Sequence, residues 1–347
     1  MSHLKNIMLK KTYIFIICFL IFTGCNTKKE FFIKGKTMGT TFHITVVDLN
    51  KKRISSLKKK ICLRLEDINM SMSTYIKESE ISRFNRLQST GEKFYISKDF
   101  LNVMLVADEL YNITHGAWDA AMGDLINLWG FGNQGVKNKI PPKEDINRLL
   151  KCKDFKNIII SKKGYLQKKK ACISIDLASI AKGYAVDELA KLIISNKIND
   201  FLVEIGGEIY ASGCTKNGTP WKAGINMPEK FSGINEIYKI VEINNKALAT
   251  SGNYRIFFED KGESFSHIID PETGMPVLNS IASVSIMAEK CIFADGLATS
   301  IMVMGSERGV KLVNRLEGVE CLIIENNNGT LTNCFSNGFK VEKQVKK

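Results

Sequence analysis

The segment Ser174-Ile-Asp-Leu-Ala-Ser-Ile-Ala-Lys-Gly-Tyr-Ala-Val-Asp187 constrains the fold of this chain more than any other. Ile173 and Ile175 alternate with polar neighbours, as at the end of a strand, and Leu177, Ile180, Ala181, Tyr184 and Leu189 then recur at helical spacing. The pattern predicts a short strand end running into a helix. Asp176 stands at the join, where a carboxylate can accept from the orphan amides of a first turn. Lys182 and Gly183 follow one to two turns in, and a glycine inside a helix costs roughly 1 kcal/mol against alanine. Something has to approach the backbone closely there. A capped, well-packed helix with no further role fits the same residues equally well.

At 347 residues the chain can bury a large core, in one domain or two closely packed ones. The first residues read as a leader rather than as fold. Lys5, Lys10 and Lys11 precede an apolar run from Tyr13 to Phe22 that is too short to span a bilayer and ends at Phe22-Thr-Gly-Cys25. This is the pattern of a lipoprotein signal over residues 1–24, with Cys25 as the lipidated N-terminus; an ordinary cleaved signal and an uncleaved anchor are the alternatives. Residues 25–32 read as a tether, 33–335 as the globular domain and 336–347 as a basic tail. The expectation is an exported protein, lipid-anchored to a bacterial membrane and facing the periplasm or the cell exterior.

The formal charge is +13, three units of which lie in the leader. Lysines cluster at 58–60 and 168–170 without interleaved aromatics or a nucleic-acid motif, so they read as surface charge and nucleic acid is excluded as a partner. Beyond Cys18 and Cys25, the cysteines at 62, 152, 172, 214, 291, 321 and 334 are scattered, odd in number and form no CxxC pair. The spacing predicts neither a zinc site nor a disulfide framework.

Along the chain, Lys34-Gly-Lys-Thr-Met-Gly-Thr-Thr41 reads as a glycine-punctuated turn feeding an alternating strand, with Met38 free to contact a ring. Helical periodicity covers Ile54 to Ile68 and Phe100 to His115, with a small-residue turn at Ser71-Met-Ser-Thr-Tyr75. Gly116-Ala-Trp-Asp119 and Trp129-Gly-Phe-Gly132 crowd aromatics among glycines, either as the floor of an aromatic-ligand pocket or as a buried cluster. Short strands are expected near 157–160, 165–166 and 172–175. In Phe201-Leu-Val-Glu-Ile-Gly-Gly-Glu-Ile-Tyr210 the glycine pair suggests a bulge or close packing against another backbone. His267-Ile-Ile-Asp-Pro-Glu-Thr-Gly274 places a histidine ahead of a tight acidic turn. On the last apolar helix, Asp295 and Thr299 stand four residues apart, hence on one face. A carboxylate and a hydroxyl so placed suit a hard cation such as Mg²⁺; an N-cap aspartate and a threonine bonded back to its own helix is the alternative.

Gly35-Lys-Thr-Met-Gly-Thr40, Met72-Ser-Thr-Tyr75, Gly116-Ala-Trp-Asp119, Asp176-Leu-Ala-Ser-Ile-Ala-Lys-Gly-Tyr184, Ile205-Gly-Gly-Glu208, Ser251-Gly-Asn-Tyr-Arg255, His267 to Gly274 and Asp295-Gly-Leu-Ala-Thr299 occur in that order. Together they resemble the FAD:protein FMN transferases, the ApbE family of flavin-trafficking lipoproteins. The resemblance implies a mixed α/β fold, T-fold-like, of two intimately packed subdomains with FAD in the cleft between them. It implies Mg²⁺-dependent transfer of FMN from FAD to a Thr or Ser hydroxyl, releasing AMP. The acceptor would be a protein with an FMN-binding domain, part of a membrane redox complex.

Carried over residue by residue, the resemblance gives Met38, Tyr75, Ala117, Trp118, Asp119, Asp176, Lys182 and Ile269 as FAD contacts, with Ser179, Asp295 and Thr299 as metal ligands. His267 and Asp270 are the candidate bases, and Gly183 is expected to pack against the nucleotide cleft. A Mg²⁺-dependent FAD pyrophosphatase giving FMN and AMP is one alternative, and a non-catalytic FAD-binding lipoprotein is another. The leader reading predicts that Cys25→Ser abolishes incorporation of labelled palmitate and moves the chain out of the membrane fraction; unchanged labelling would reject it.

Overall fold

In the computed structural model the described residues are 28–341, apart from 49, 136, 138, 230–231, 234–235, 255 and 261. The leader, Cys25, Arg255 and the end of the basic tail therefore lie outside the described residues.

Strand β2 (Thr40–Asp48) shows how the sequence builds the main sheet: Phe42, Ile44 and Val46 are buried while Thr41 and His43 face outward. It follows β1 (Lys29–Thr37) through a two-residue turn, Met38-Gly39, in which both residues take the left-handed conformation of a type I′ hairpin. Because β1 begins at Lys29, residues 29–32 are paired strand rather than tether. The chain continues through α1 (Lys51–Met72), α2 (Glu80–Arg86), β3 (Phe94–Tyr95), α3 (Lys98–Ile113), α4 (Gly123–Leu128), α5 (Lys143–Leu150), β4 (Ile158–Ser161), β5 (Tyr165–Lys168) and α6 (Ala178–Ser195). There follow β6 (Phe201–Ile205), β7 (Glu208–Ser212), β8 (Trp221–Asn226), β9 (Ile237–Ile243), β10 (Lys246–Gly252), β11 (Phe257–Asp260), β12 (Glu263–Ser266) and β13 (Ile281–Ala288). The chain closes with α7 (Cys291–Met304), α8 (Ser306–Val313), β14 (Glu320–Asn327) and β15 (Thr330–Phe335).

Eight strands form one sheet in the order β1-β2-β6-β7-β10-β13-β14-β15, with every neighbouring pair antiparallel. Each half of that order is two strands, a helical insertion and two more strands. The halves meet at β7 and β10 over the register pairs Lys246↔Ala211, Ala247↔Tyr210 and Leu248↔Ile209. This is the mixed α/β, T-fold-like arrangement expected from the resemblance.

Alternation along the central strands serves two cores. Ala247, Ala249, Cys321 and Ile323 join the large core under the helices, while Leu248, Leu322 and Ile324 join a second core beneath the β8–β9 hairpin, with Trp221, Val241 and Ile243. Phe339 and Val341 pack on that second core, so the first residues of the expected tail belong to the fold. A third cluster, centred on Trp129, Phe258 and Phe265, shows that the aromatics near 129–131 are buried structure rather than an open pocket floor. Among the described residues no helix is long and apolar enough to cross a membrane.

Three local expectations are corrected. Residues 173–177 form no strand. The backbone of Ile175 bonds in both directions to the Asn85 side chain, at 2.8 Å each way, and Asp176 N–H donates to Ala120 O at 2.9 Å. The Gly206-Gly207 pair is not a bulge but the tight turn of the β6–β7 hairpin, since both residues have positive φ. Cys152 and Cys172, 20 residues apart, form a disulfide. Closing a loop of that length restrains the unfolded chain by roughly 3 kcal/mol. The buried Cys291 and Cys321 are small core residues, as their apolar surroundings suggested.

Gly183 is explained by α7 rather than by a nucleotide cleft. A Cβ there would lie 2.5 Å from the carbonyl oxygen of Cys291 and 2.8 Å from Cα of Ile292. Both obstacles are backbone and cannot rotate away. Gly183→Ala therefore gains about 1 kcal/mol of helix propensity but pushes two helices apart, which costs about 1–3 kcal/mol or more. Urea denaturation should show a net loss of stability; a gain would show that the crossing is looser than described.

Candidate functional site

The site grows from the α6–α7 crossing. Asp176 lies just before α6, and its Oδ1 accepts from Ala178 N–H at 2.8 Å, capping the helix one residue earlier than its first cap position. Asp176, Ser179 and Lys182 are spaced three apart and so run along one side of the helix. Ser179 Oγ accepts from Trp118 Nε1 at 3.0 Å, which fastens the Gly116-Ala-Trp-Asp119 segment to α6. Trp118 is itself buried, and its N–H donates to Thr114 Oγ1 at 3.2 Å. Ala117 N–H donates to Thr114 O at 3.2 Å, and Asp119 Oδ1 accepts from Ala121 N–H at 2.7 Å. Burial pushes the Asp119 carboxyl up to about 6 and raises Asp176 as well.

Lys182 Nζ donates to Glu208 Oε1 at 2.7 Å and lies 3.9 Å from Asp295 Oδ1. The other Asp295 oxygen, Oδ2, accepts from Gly183 N–H at 3.0 Å. In an α-helix that N–H faces the carbonyl of the residue four earlier, here Ser179, so the carboxylate of α7 is drawn to the Ser179 turn of α6. Thr299 Oγ1 lies 2.9 Å from Ser251 Oγ, and it donates weakly to its own helix at Asp295 O, 3.4 Å away. Asp295 is not an N-cap, because α7 begins four residues earlier.

The glycines of the two hairpin turns bring a further segment in. A Cβ on Gly206 would meet Thr40 Cγ2 at 2.8 Å and Lys182 Cδ at 3.4 Å, so the β6–β7 turn stands beside both the lysine and the first residue of β2. Met38 packs against the large core.

Burial raises both Asp295 and Glu208, since it disfavours an isolated charge, and Lys182 opposes the rise. Burial alone would lower Lys182, but the two carboxylates beside it outweigh that and hold it protonated. Glu208 Oε2 is buried without a hydrogen-bond partner among the described residues. Two buried carboxylates thus share one cation, and the cluster has room electrically for a second. Hard oxygen donors from Ser179, Asp295 and Thr299 fit Mg²⁺, which needs few protein ligands and keeps positions for waters and phosphate oxygens. Among the described residues no three His, Cys, Asp or Glu side chains gather into a metal cage.

Beside Asp176 opens a cavity of about 590 Å³. Its walls include Tyr75, Asn85, Asn127, Ser174 and Asp176. Tyr75 is largely exposed at its edge. Ile269 lies elsewhere, in the Trp129 aromatic cluster, and pairs with Pro276.

His267 follows β12 and is edge-on to Phe131, with ring centres 6.3 Å apart. Its Nδ1 lies 3.1 Å from Ile256 O. A carbonyl only accepts, so Nδ1 carries the proton and Nε2 keeps its lone pair free. Burial pulls the His267 pKa below its ordinary value, the Ile256 bond opposes this, and the positive charge of Lys182 adds to the lowering. Asp270 is different: Oδ1 accepts from Glu272 N–H at 2.8 Å and Oδ2 from Thr273 Oγ1 at 3.2 Å, so each carboxylate oxygen is held by its own turn.

A family model described as the ApbE family matches residues 38–323, a range that spans all of these segments. The chain belongs to the ApbE family. A Vibrio cholerae protein named FAD:protein FMN transferase is 38% identical over 89% of this chain and 92% of its own length. A protein of that name from Haemophilus influenzae is 36% identical over 90% of this chain and 92% of its own. The solved Vibrio cholerae flavin transferase ApbE superposes with a TM-score of 0.82 at 36% identity, covering 90% of this chain and 98% of that one. The apo form of Pseudomonas stutzeri flavinyl transferase ApbE gives 0.80 at 30% identity, covering 90% and 96%.

Residues that sequence reading did not single out as site members complete this ApbE-family arrangement. Glu208 is the ion-pair partner of Lys182, Ser251 meets Thr299, and Asn85 fixes the wall that carries Asp176. Glu208 and Ser251 stood within quoted segments, but only the fold supplies their partners. Lys182→Met leaves two buried carboxylates without a counter-charge and should destabilise the fold by about 3 kcal/mol. Adding Glu208→Gln to it should recover part of that loss in thermal denaturation; additive losses would show that the ion pair is not what holds the cluster.

Proposed function

We propose that this chain is a flavin transferase that moves FMN from FAD onto a Thr or Ser hydroxyl of an acceptor protein and releases AMP. What carries the reading is the Lys182–Glu208–Asp295 cluster, whose lysine stands on α6 one to two turns beyond the cavity-lining Asp176. The cavity takes the aromatic and ribityl parts of FAD, with Tyr75 free to close over a ring.

Phosphoryl transfer needs mainly positioning and neutralisation of charge on the non-bridging oxygens. Lys182 brings a fixed positive charge to the pyrophosphate. Ser179, Asp295 and Thr299 are the residues that would hold Mg²⁺, which supplies further neutralisation there when bound. His267 is neutral at pH 7 and presents Nε2, so it accepts the proton of the attacking hydroxyl. The new bond joins the acceptor oxygen to the FMN-side phosphorus, and the bond from that phosphorus to the bridging oxygen breaks as AMP leaves. The acceptor is a protein with an FMN-binding domain, part of a membrane redox complex, and the chain reaches it from a lipid anchor at Cys25 on the exported side of a bacterial membrane.

The test incubates the full chain with FAD, Mg²⁺ and an FMN-binding domain, and reads covalent flavin by fluorescence on a denaturing gel. Labelled acceptor is expected. FMN and AMP free in solution would instead make the chain a pyrophosphatase, and bound but intact FAD would make it a carrier. Asp295→Ala should abolish turnover. His267→Gln should lower the transfer rate about 10²- to 10⁴-fold. The wild-type rate should fall as pH drops through a value below 6.5, where the imidazole takes up its second proton, and the variant should lose that limb.

A further inference from the structure

Residues 171–176 form one wall of the cavity and end at Asp176. The Ile175 end is held on both its backbone groups by Asn85, and Ser174 O accepts from Gly123 N–H at 3.0 Å. The Ala171 end is held by the buried Lys168, whose Nζ reaches Ala171 O at 3.4 Å and the carbonyls of Asn85 and Leu87 at 3.0 Å. Between these anchors stands Cys172, exposed, lining the cavity and bonded to Cys152 just beyond α5. A second gap, of only about 10 Å³, is lined by Leu149, Cys152, Lys153, Cys172 and Ser174, so the crosslink and the wall also border a small space on their far side.

We propose that the Cys152–Cys172 disulfide is a positioning crosslink that sets the affinity of the cavity for FAD, and that its reduction by a dithiol weakens FAD binding. The identity of the ligand rests on the flavin-transfer reading above. Two observations make this bond reducible. Cys172 is exposed, and Lys151, Lys153, Lys169 and Lys170 flank the two cysteines, with Lys170 Nζ donating to Lys151 O at 2.9 Å. Cations around the sulfurs stabilise thiolates, which favours the reduced pair. In the exchange a reagent thiolate attacks one sulfur, the S–S bond breaks, and the other cysteine leaves as a thiolate. The second reagent thiol then displaces the first cysteine. The protein gains two electrons and two protons and the reagent closes to its own disulfide.

With the bond gone, Asn85 and Lys168 still hold the ends of the wall, so the fold persists while the wall samples more positions. If the binding-competent arrangement falls to about a tenth of the population, apparent FAD affinity falls about tenfold. The test measures FAD binding by flavin fluorescence to the full chain in three forms: oxidised, reduced with dithiothreitol, and Cys152→Ser. Circular dichroism and a melting curve are recorded on each. We expect the reduced and variant proteins to bind FAD about tenfold more weakly with unchanged secondary structure. Reoxidation should restore the wild type, and dithiothreitol should have no further effect on Cys152→Ser. Equal affinity in all three forms overturns the proposal, as does global unfolding of the reduced protein. An oxidised protein that binds no FAD overturns the flavin reading itself.

Discussion

The hydrogen bond from Gly183 N–H to Asp295 sets the geometry of the rest. It exists only because position 183 has no side chain and α7 can lie directly against the backbone of α6. The same crossing is fixed a turn further on by Asp187, which accepts from Cys291 and Ile292 N–H at 2.8 and 3.0 Å and so caps α7 from a neighbouring helix. Gly296 keeps the approach close on the other side, since a Cβ there would meet Leu110 and Ile180. With the crossing fixed, the carboxylate of one helix must stand among the polar residues of the other.

That placement is costly in isolation. A buried carboxylate pays a desolvation penalty that only a close cation and hydrogen bonds offset. Lys182 and Gly183 N–H provide this for Asp295, and Lys182 provides it for Glu208. A cluster with two carboxylates to one ammonium is under-neutralised, which is the electrostatic condition under which a hard cation and a phosphate chain can enter together. On the proposed function, fold stability and chemistry are therefore set by the same few charges.

Much of this was legible in the sequence, because the relevant signals are local. The alternation of β2, the periodicity of α1 and α3, and the Asp295/Thr299 spacing are properties of a few consecutive residues, and the structure reproduces them. The burial of Ile173 and Ile175 was equally legible, but their backbone partners were not, since a side-chain amide ninety residues away takes the place of a neighbouring strand. Gly183 was marked as a point of close approach, yet which backbone approaches depends on the helix crossing. The Cys152–Cys172 pair had no local signature at all: two isolated cysteines become partners only when α5 and the cavity wall are brought together. Likewise Glu208 read as one residue of a Gly-Gly-Glu turn until the hairpin aimed it at Lys182.

The narrow joint between β7 and β10 has a consequence for where the chemistry resides. Glu208 belongs to the first half of the sheet and Asp295, Ser251 and Thr299 belong to the second, while Lys182 reaches across. The first half carries a neutral Lys182–Glu208 pair, whereas Asp295 takes its cation from across the joint, so the charge balance of the cluster holds only while the two halves stay closed on each other.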